Sequence, residues 1–258
     1  MTLHHVHRGS GAPLLLVHGL GSSWQNWKPA LDTLAAEREV IAVDLPGFGE
    51  TPPLEGEISM VALADAVSDF IDEHDLAGVD LVGSSMGARL VLELARRGVG
   101  GTTVALDPGG FWSPGEVRAF GLSIGASVRL VRLLQPVMPA LTRNPVTRTL
   151  LLAQFSAHPW RLDAELALHE LRTLAARPDV VDETLRVLVE APVQEGGRTQ
   201  NRVVIGWGRQ DRVTLPSQAA RAQERFPDAG LVWFGRCGHF PHWDRPDAAA
   251  HVILTATA

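Results

Sequence analysis

Ser85, Asp211 and His239 occur in that chain order, each in local surroundings that suit nucleophilic catalysis. Ser85 lies in Gly83-Ser84-Ser85-Met86-Gly87, directly after the apolar run Val79-Asp80-Leu81-Val82 and before a helical stretch from Met86 to Arg97. In Gly-x-Ser-x-Gly the serine occupies a sharp strand-to-helix turn, and the flanking glycines let strand and helix approach closely. The same turn sets the serine at a helix N-terminus, where free backbone N–H groups stabilise developing negative charge. A second match, Gly121-Leu122-Ser123-Ile124-Gly125, has no strand before it. Val117, Phe120, Ile124, Val128 and Val131 place it inside an amphipathic helix, so its context rejects it.

A serine hydroxyl needs a base within hydrogen-bond reach and a third group that fixes the tautomer of that base. His239, in Cys237-Gly238-His239-Phe240-Pro241, follows the last strand-like run and is preferred to His242, which reads as the start of the terminal helical region. Asp211, in Trp207-Gly208-Arg209-Gln210-Asp211, follows the run Arg202 to Trp207 and is preferred to Asp107, which also ends a strand. The N–H of Met86 supplies one oxyanion donor. The N–H of Leu20, in the glycine-flanked turn His18-Gly19-Leu20-Gly21, supplies the second, with His18 assigned to holding that turn.

These groups must sit on one edge of a sheet, and the pattern of the chain provides one. Leu14 to Val17, Val40 to Val43, Val79 to Val82 and Thr103 to Leu106 are short apolar runs of the kind that strands buried on both faces show. Helical spacing lies between them: Leu63, Val67, Phe70, Ile71 and His74 form one stripe opposite Asp65, Asp69, Asp72 and Glu73. After Asp107-Pro108-Gly109-Gly110 the alternation stops, and helices joined at prolines, among them Pro136, Pro178 and Pro192, run to about Arg198. Strand-like runs resume at Arg202 to Trp207 and Gly230 to Phe234. The expectation is an α/β core, residues 1–110 and 199–258, interrupted by a helical cap at residues 111–198.

Composition excludes several other classes. With 23 basic residues against 29 acidic ones and a net charge of −6, bulk nucleic-acid binding is disfavoured. A single cysteine, Cys237, permits no intrachain disulfide and no zinc-finger cluster. The N-terminal residues lack a signal-peptide pattern and no apolar run reaches bilayer length, so a soluble, cytoplasmic protein without a membrane span is expected. His4, His5 and His7 read as incidental surface histidines, and no phosphate or dinucleotide motif is present. Neither a metal nor a cofactor is implied.

Together His18-Gly19-Leu20-Gly21, Asp44-Leu45-Pro46-Gly47-Phe48-Gly49, the Ser85 pentapeptide, Trp207-Gly208-Arg209-Gln210-Asp211 and Gly238-His239 resemble the α/β-hydrolase superfamily in identity and order. The resemblance implies a mostly parallel sheet of seven or eight strands flanked by helices, with the leading hairpin shortened because only Leu3 to Arg8 precedes Leu14. It is specific for the fold and much less so for the substrate. An aspartate nucleophile, as in the dehalogenases and epoxide hydrolases of the superfamily, is absent, and the chain has no tyrosine to polarise an epoxide. A serine makes an acyl-enzyme, so the expected reaction is hydrolysis of a carboxylic ester, thioester or lactone. The rival is the carbon-carbon hydrolase group acting on ring-fission diketo acids, which usually has Asn where this chain has Ser84 and Trp where it has Phe240. A third reading is a binding module without turnover. Trp24, Trp112 and Phe240 are expected to line the pocket, and the apolar cap suggests a small hydrophobic ester as its occupant.

Overall fold

The computed structural model describes residues 2–191 and 193–258, so the joint read at Pro192 lies outside the described residues. Seven strands form one sheet: β1 (His5–Arg8), β2 (Pro13–Val17), β3 (Glu39–Val43), β4 (Asp80–Ser84), β5 (Thr103–Leu106), β6 (Val203–Gly208) and β7 (Gly230–Phe234). Their spatial order is β1-β3-β2-β4-β5-β6-β7. Only β1 runs antiparallel, pairing His5 with Val43; every other pair is parallel. The single strand before β2 is the shortened leading element that the sequence suggested.

Parallel strands need crossovers, and these are helices α1 (Lys28–Ala35), α2 (Met60–Glu73) and α3 (Met86–Arg96) in the first half. Between β5 and β6 come α4 (Pro114–Leu134), α5 (Met138–Arg143), α6 (Pro145–Leu152), α7 (Ala164–Ala176) and α8 (Pro178–Glu190). The chain ends with α9 (Gln218–Arg225), α10 (Pro241–Asp244) and α11 (Pro246–Ala256). The entry to α4 is fixed by a capping box: Ser113 N–H donates to Glu116 Oε2 at 2.6 Å while Glu116 N–H returns a bond to Ser113 Oγ. The second Gly-x-Ser-x-Gly match lies within α4, where the Ser123 hydroxyl donates to the Phe120 carbonyl one turn back.

Strand side chains alternate between two cores, one on each sheet face. Leu15, Val17, Ile41 and Leu81 pack with Phe70 of α2 and Leu90 of α3 on one side. Leu14, Leu16, Val40 and Val82 pack with Leu34 of α1 and Ile253 of α11 on the other. A smaller core packs Val131 of α4, Met138 of α5, Leu152 of α6 and Leu171 of α7 against Trp243 of α10. Among the described residues no helix is long and apolar enough to cross a membrane.

Candidate active site

Register decides which loops meet. Gly83 of β4 pairs with Val17 of β2 on one side and Ala105 of β5 on the other, and Leu106 pairs with Gly206 of β6. The carboxyl ends of β2, β4, β5, β6 and β7 therefore share one edge, and the loops leaving them carry Leu20, Ser85, Asp107, Asp211 and His239 respectively. This is the edge at which open parallel sheets place their ligands.

Ser85 caps α3 with φ 56 and ψ −114, a left-handed-side conformation that a side chain adopts only under constraint. The constraint is close packing. A Cβ on Gly83 would stand 2.3 Å from the Gly87 carbonyl oxygen, and one on Gly87 would stand 2.3 Å from that of Val17. The turn of His18 to Gly21 is equally near: a methyl on Gly19 would lie 3.1 Å from Ser85 Cβ and 3.6 Å from its Oγ. Among the described residues neither the Leu20 nor the Met86 N–H is taken by a protein acceptor. His18 is buried and bridges loops, with Nδ1–H donating to Gly19 O at 2.7 Å and Nε2 accepting from Leu45 N–H at 2.9 Å. Burial lowers the pKa of its imidazole, consistent with that neutral tautomer.

His239 and Asp211 form a buried pair, Nδ1–H to Oδ2 at 2.9 Å. Asp211 also accepts from Val213 N–H at 2.7 Å, Thr214 N–H at 3.1 Å and the Thr214 hydroxyl at 2.6 Å, so its geometry is set by the turn that follows it. Two backbone bonds tie this loop to the end of β7 and the loop beyond it: Arg209 N–H to Phe234 O and Gln210 N–H to Cys237 O. The cap helps as well, since Phe155 O accepts from His239 N–H at 2.8 Å and Asp244 binds both Ala157 N–H and Gly238 N–H. Ser85 Oγ is not hydrogen-bonded to His239 here; both line one cavity, and such a contact commonly tightens only around substrate.

Asp107, the competing acid, is fully buried and points one oxygen at Gly208 N–H at 2.8 Å. Burial, and then the charge of Asp211, raises its carboxyl well above the ordinary range. Asp107, Asp211 and His239 present oxygen and nitrogen atoms within 4.8 Å of one another, yet Asp211 already spends its oxygens on Thr214, Val213 and His239. His242 lies on the far side of the histidine loop, stacked on Trp27 at 4.4 Å with Nε2–H donating to Asn26 Oδ1 at 2.5 Å.

The cavity around Ser85 and His239 is walled by Leu20, Phe120, Leu152, Leu174, Phe240 and Trp243 among others, and no arginine or lysine lines it among the described residues. Of the three aromatic residues expected at the pocket, Phe240 lines this cavity and Trp24 and Trp112 do not. Trp24 faces a separate cleft with Asp44 and Arg177, because its 3-10 turn points it away from the cap interior. Trp112 stacks behind Phe120 at 4.8 Å, one layer outside the cavity wall. Two lining or positioning groups escaped the sequence reading. Thr214 carries only the signal of a hydroxyl three residues after a loop aspartate. Glu170 reaches the cavity from α7, where it falls four residues after Leu166 on the buried stripe, a position at which an acid is anomalous.

A model of the alpha/beta hydrolase family matches residues 14–252. The chain is 31% identical over 253 residues to a dihydrolipoyllysine-residue acetyltransferase component of the acetoin cleaving system of Pseudomonas putida, covering 95% of this chain and 63% of that protein. It is 29% identical over 255 residues to a 2-hydroxy-6-oxo-2,4-heptadienoate hydrolase of Pseudomonas putida, covering 92% and 85% respectively. Among solved structures, a thermophilic esterase from Thermogutta terrifontis superposes with a TM-score of 0.75 at 20% identity, covering 98% of this chain and 92% of that one. At that identity the likeness speaks for the fold.

Proposed function

We propose that this chain, which belongs to the alpha/beta hydrolase family, cleaves a carboxylic ester of a small hydrophobic substrate through an acyl-enzyme on Ser85. The observation that carries the reading is one cavity: it holds Ser85 and the Asp211-paired His239, is otherwise walled mainly by apolar side chains, and has no cation among its described lining residues.

The steps follow from the geometry. His239 Nε2 takes the proton of Ser85 Oγ as the oxygen attacks the substrate carbonyl, while Asp211 holds the proton on Nδ1 and so keeps Nε2 free to accept. The carbonyl oxygen becomes an oxyanion between the N–H groups of Leu20 and Met86, donors fixed in place before the reaction begins. His239 then gives its proton to the departing alcohol, leaving the acyl group on Ser85. Water, deprotonated by the same imidazole, releases the acid and restores the serine. No cofactor enters these steps. The single buried Cys237 fits a reducing, cytoplasmic setting.

Carbon-carbon cleavage of a diketo acid is the second reading, favoured by relatives of that printed activity. Its substrate carries a carboxylate, which a desolvated pocket binds well only with a positive partner. The lining offers Glu170 instead of a cation. The test sets a nitrophenyl ester against a yellow vinylogous diketo acid. Release of nitrophenolate lost in Ser85→Ala supports the ester reading; bleaching of the diketo acid without it transfers the assignment to carbon-carbon hydrolysis. Absence of both, with ligand-dependent stabilisation, would make the chain a binding module.

A further inference from the structure

Glu170 is the one acidic side chain lining the cavity among the described residues, and the ester mechanism does not use it. Its Oε2 is fully engaged, accepting from the Ser22 hydroxyl at 2.7 Å and from Asn26 Nδ2–H at 2.8 Å. Its Oε1 is buried without a partner. A desolvated carboxyl oxygen left unpaired is costly, and native proteins rarely keep one unless something else satisfies it. Leu171 and Leu174 on the same helix, and Phe120 and Phe240 elsewhere in the lining, have no side-chain donor to offer it.

We propose that Glu170 is the specificity-determining polar point of the pocket, binding through Oε1 a hydrogen-bond donor, a hydroxyl or a protonated amine, on the substrate. The inference rests on the ester-hydrolase reading for its reaction but on the cavity alone for its recognition. The groups around Glu170 fit the role. Ser22 and Asn26 fix the carboxyl from the core side, Lys28 acts on it at longer range, and His242 is linked to it only through Asn26. Neighbouring His169 turns to Ser23, its Nε2 lying 2.9 Å from that hydroxyl, and His239 faces the same cavity from beyond β7. Burial pushes the carboxyl up to about 7, so near neutrality protonation turns an acceptor-only carboxylate into a carboxyl that can also donate. The protonated form can still bond a hydroxyl; only the ionised form favours an ammonium. A site built to pair with a substrate donor rejects the analogue that lacks one, because its own polar atom is then stranded.

The test uses the full chain and straight-chain ethyl esters of several lengths, each as a trio whose acyl end is methyl, hydroxyl or protonated amine. The ratio of kcat/KM within a trio cancels any titration of His239 common to all three. At the length that reaches Glu170, the hydroxyl ester should exceed the methyl ester by about tenfold. The amine ester should do so only above pH 7 and lose the advantage below it. The larger of the two advantages identifies which donor is the native one. Glu170→Gln should remove the amine advantage and its pH dependence, and Glu170→Leu should remove both advantages, with thermal unfolding checking that each variant is folded. Calorimetric binding of the same trio to Ser85→Ala protein separates the two proposals. Donor preference in binding without ester turnover in the wild-type chain overturns the hydrolase reading and keeps the recognition site. Ester turnover with no donor preference at any length or pH, or a preference surviving Glu170→Leu, overturns the recognition site and keeps the hydrolase.

Discussion

Asp107 and Asp211 end neighbouring strand loops on the same sheet edge, but only Asp211 touches His239, at 2.9 Å, while Asp107 turns to the Gly208 N–H. The Asp211 carboxylate is surrounded by donors, whereas burial and then the charge of Asp211 push the Asp107 carboxyl well above the ordinary range. Asp211→Asn should therefore lower kcat by about 10⁴-fold through the wrong imidazole tautomer. Asp107→Asn, an amide that can still accept from the Gly208 N–H at a position that does not bond His239, should leave kcat within a few-fold. Steady-state kinetics of the two variants decide the matter, and a larger loss in Asp107→Asn would reverse the assignment.

The same pair predicts a stability effect. Asp107 holds its proton more tightly in the fold than in the unfolded chain, so between the unfolded and the raised folded pKa unfolding releases a proton. Stability due to this group is full in acid and falls as pH rises above the ordinary carboxyl range towards its raised folded pKa. Asp107→Asn should remove that fall, giving a smaller loss of urea midpoint between acid and neutral pH than wild type shows.

His242 works in the opposite direction. Burial pushes its imidazole from 6.5 down to about 3, so it stays neutral between Trp27 and Asn26 while an unfolded chain would bind a proton. Its contribution is complete above pH 6.5 and is lost as pH falls towards 3, at about 1.4 kcal/mol per pH unit. Urea unfolding over this window should show the corresponding slope, and His242→Gln should flatten it by about one proton; an unchanged slope would mean that another group carries the acid sensitivity.

Ser85 holds φ 56 without being glycine, a strain that function explains better than stability does. Ser85→Gly should raise the unfolding free energy by about 1 kcal/mol while abolishing fluorophosphonate labelling. Labelling mapped to any residue other than Ser85 in the wild-type chain would refute the nucleophile.

Gly19→Ala puts a methyl 3.1 Å from Ser85 Cβ, tight enough to displace the turn that carries the Leu20 N–H. A displaced oxyanion donor lowers kcat by about 10²-fold and leaves KM nearly unaltered. A rise in KM at constant kcat would instead place Gly19 in substrate binding.

Much of this arrangement was written locally in the chain. Short branched runs specify strands, glycines two residues either side of Ser85 permit its turn, and loops that follow strands announce Asp211 and His239, because each of these signals depends on neighbours within a few residues. The stop in alternation after Asp107 likewise marked where helices replace strands, α4 to α8 standing between β5 and β6. Side-chain direction across the molecule was not written there. Trp24 and Trp112 have the size and position of pocket residues, yet a single 3-10 turn aims one into another cleft and Phe120 covers the other.

The sequence by itself determined the fold, the chain order of Ser85, Asp211 and His239, and the conformation of the turn that carries the serine, since periodicity and glycine placement act through local sterics. Only the tertiary structure decided which aspartate meets the imidazole, that burial raises the Asp107 carboxyl, and that α7 carries Glu170 into the cavity against Ser22 and Asn26, from which it is separated by 148 and 144 residues. Those outcomes depend on distances and desolvation between segments remote in the chain, and a packed interior sets both.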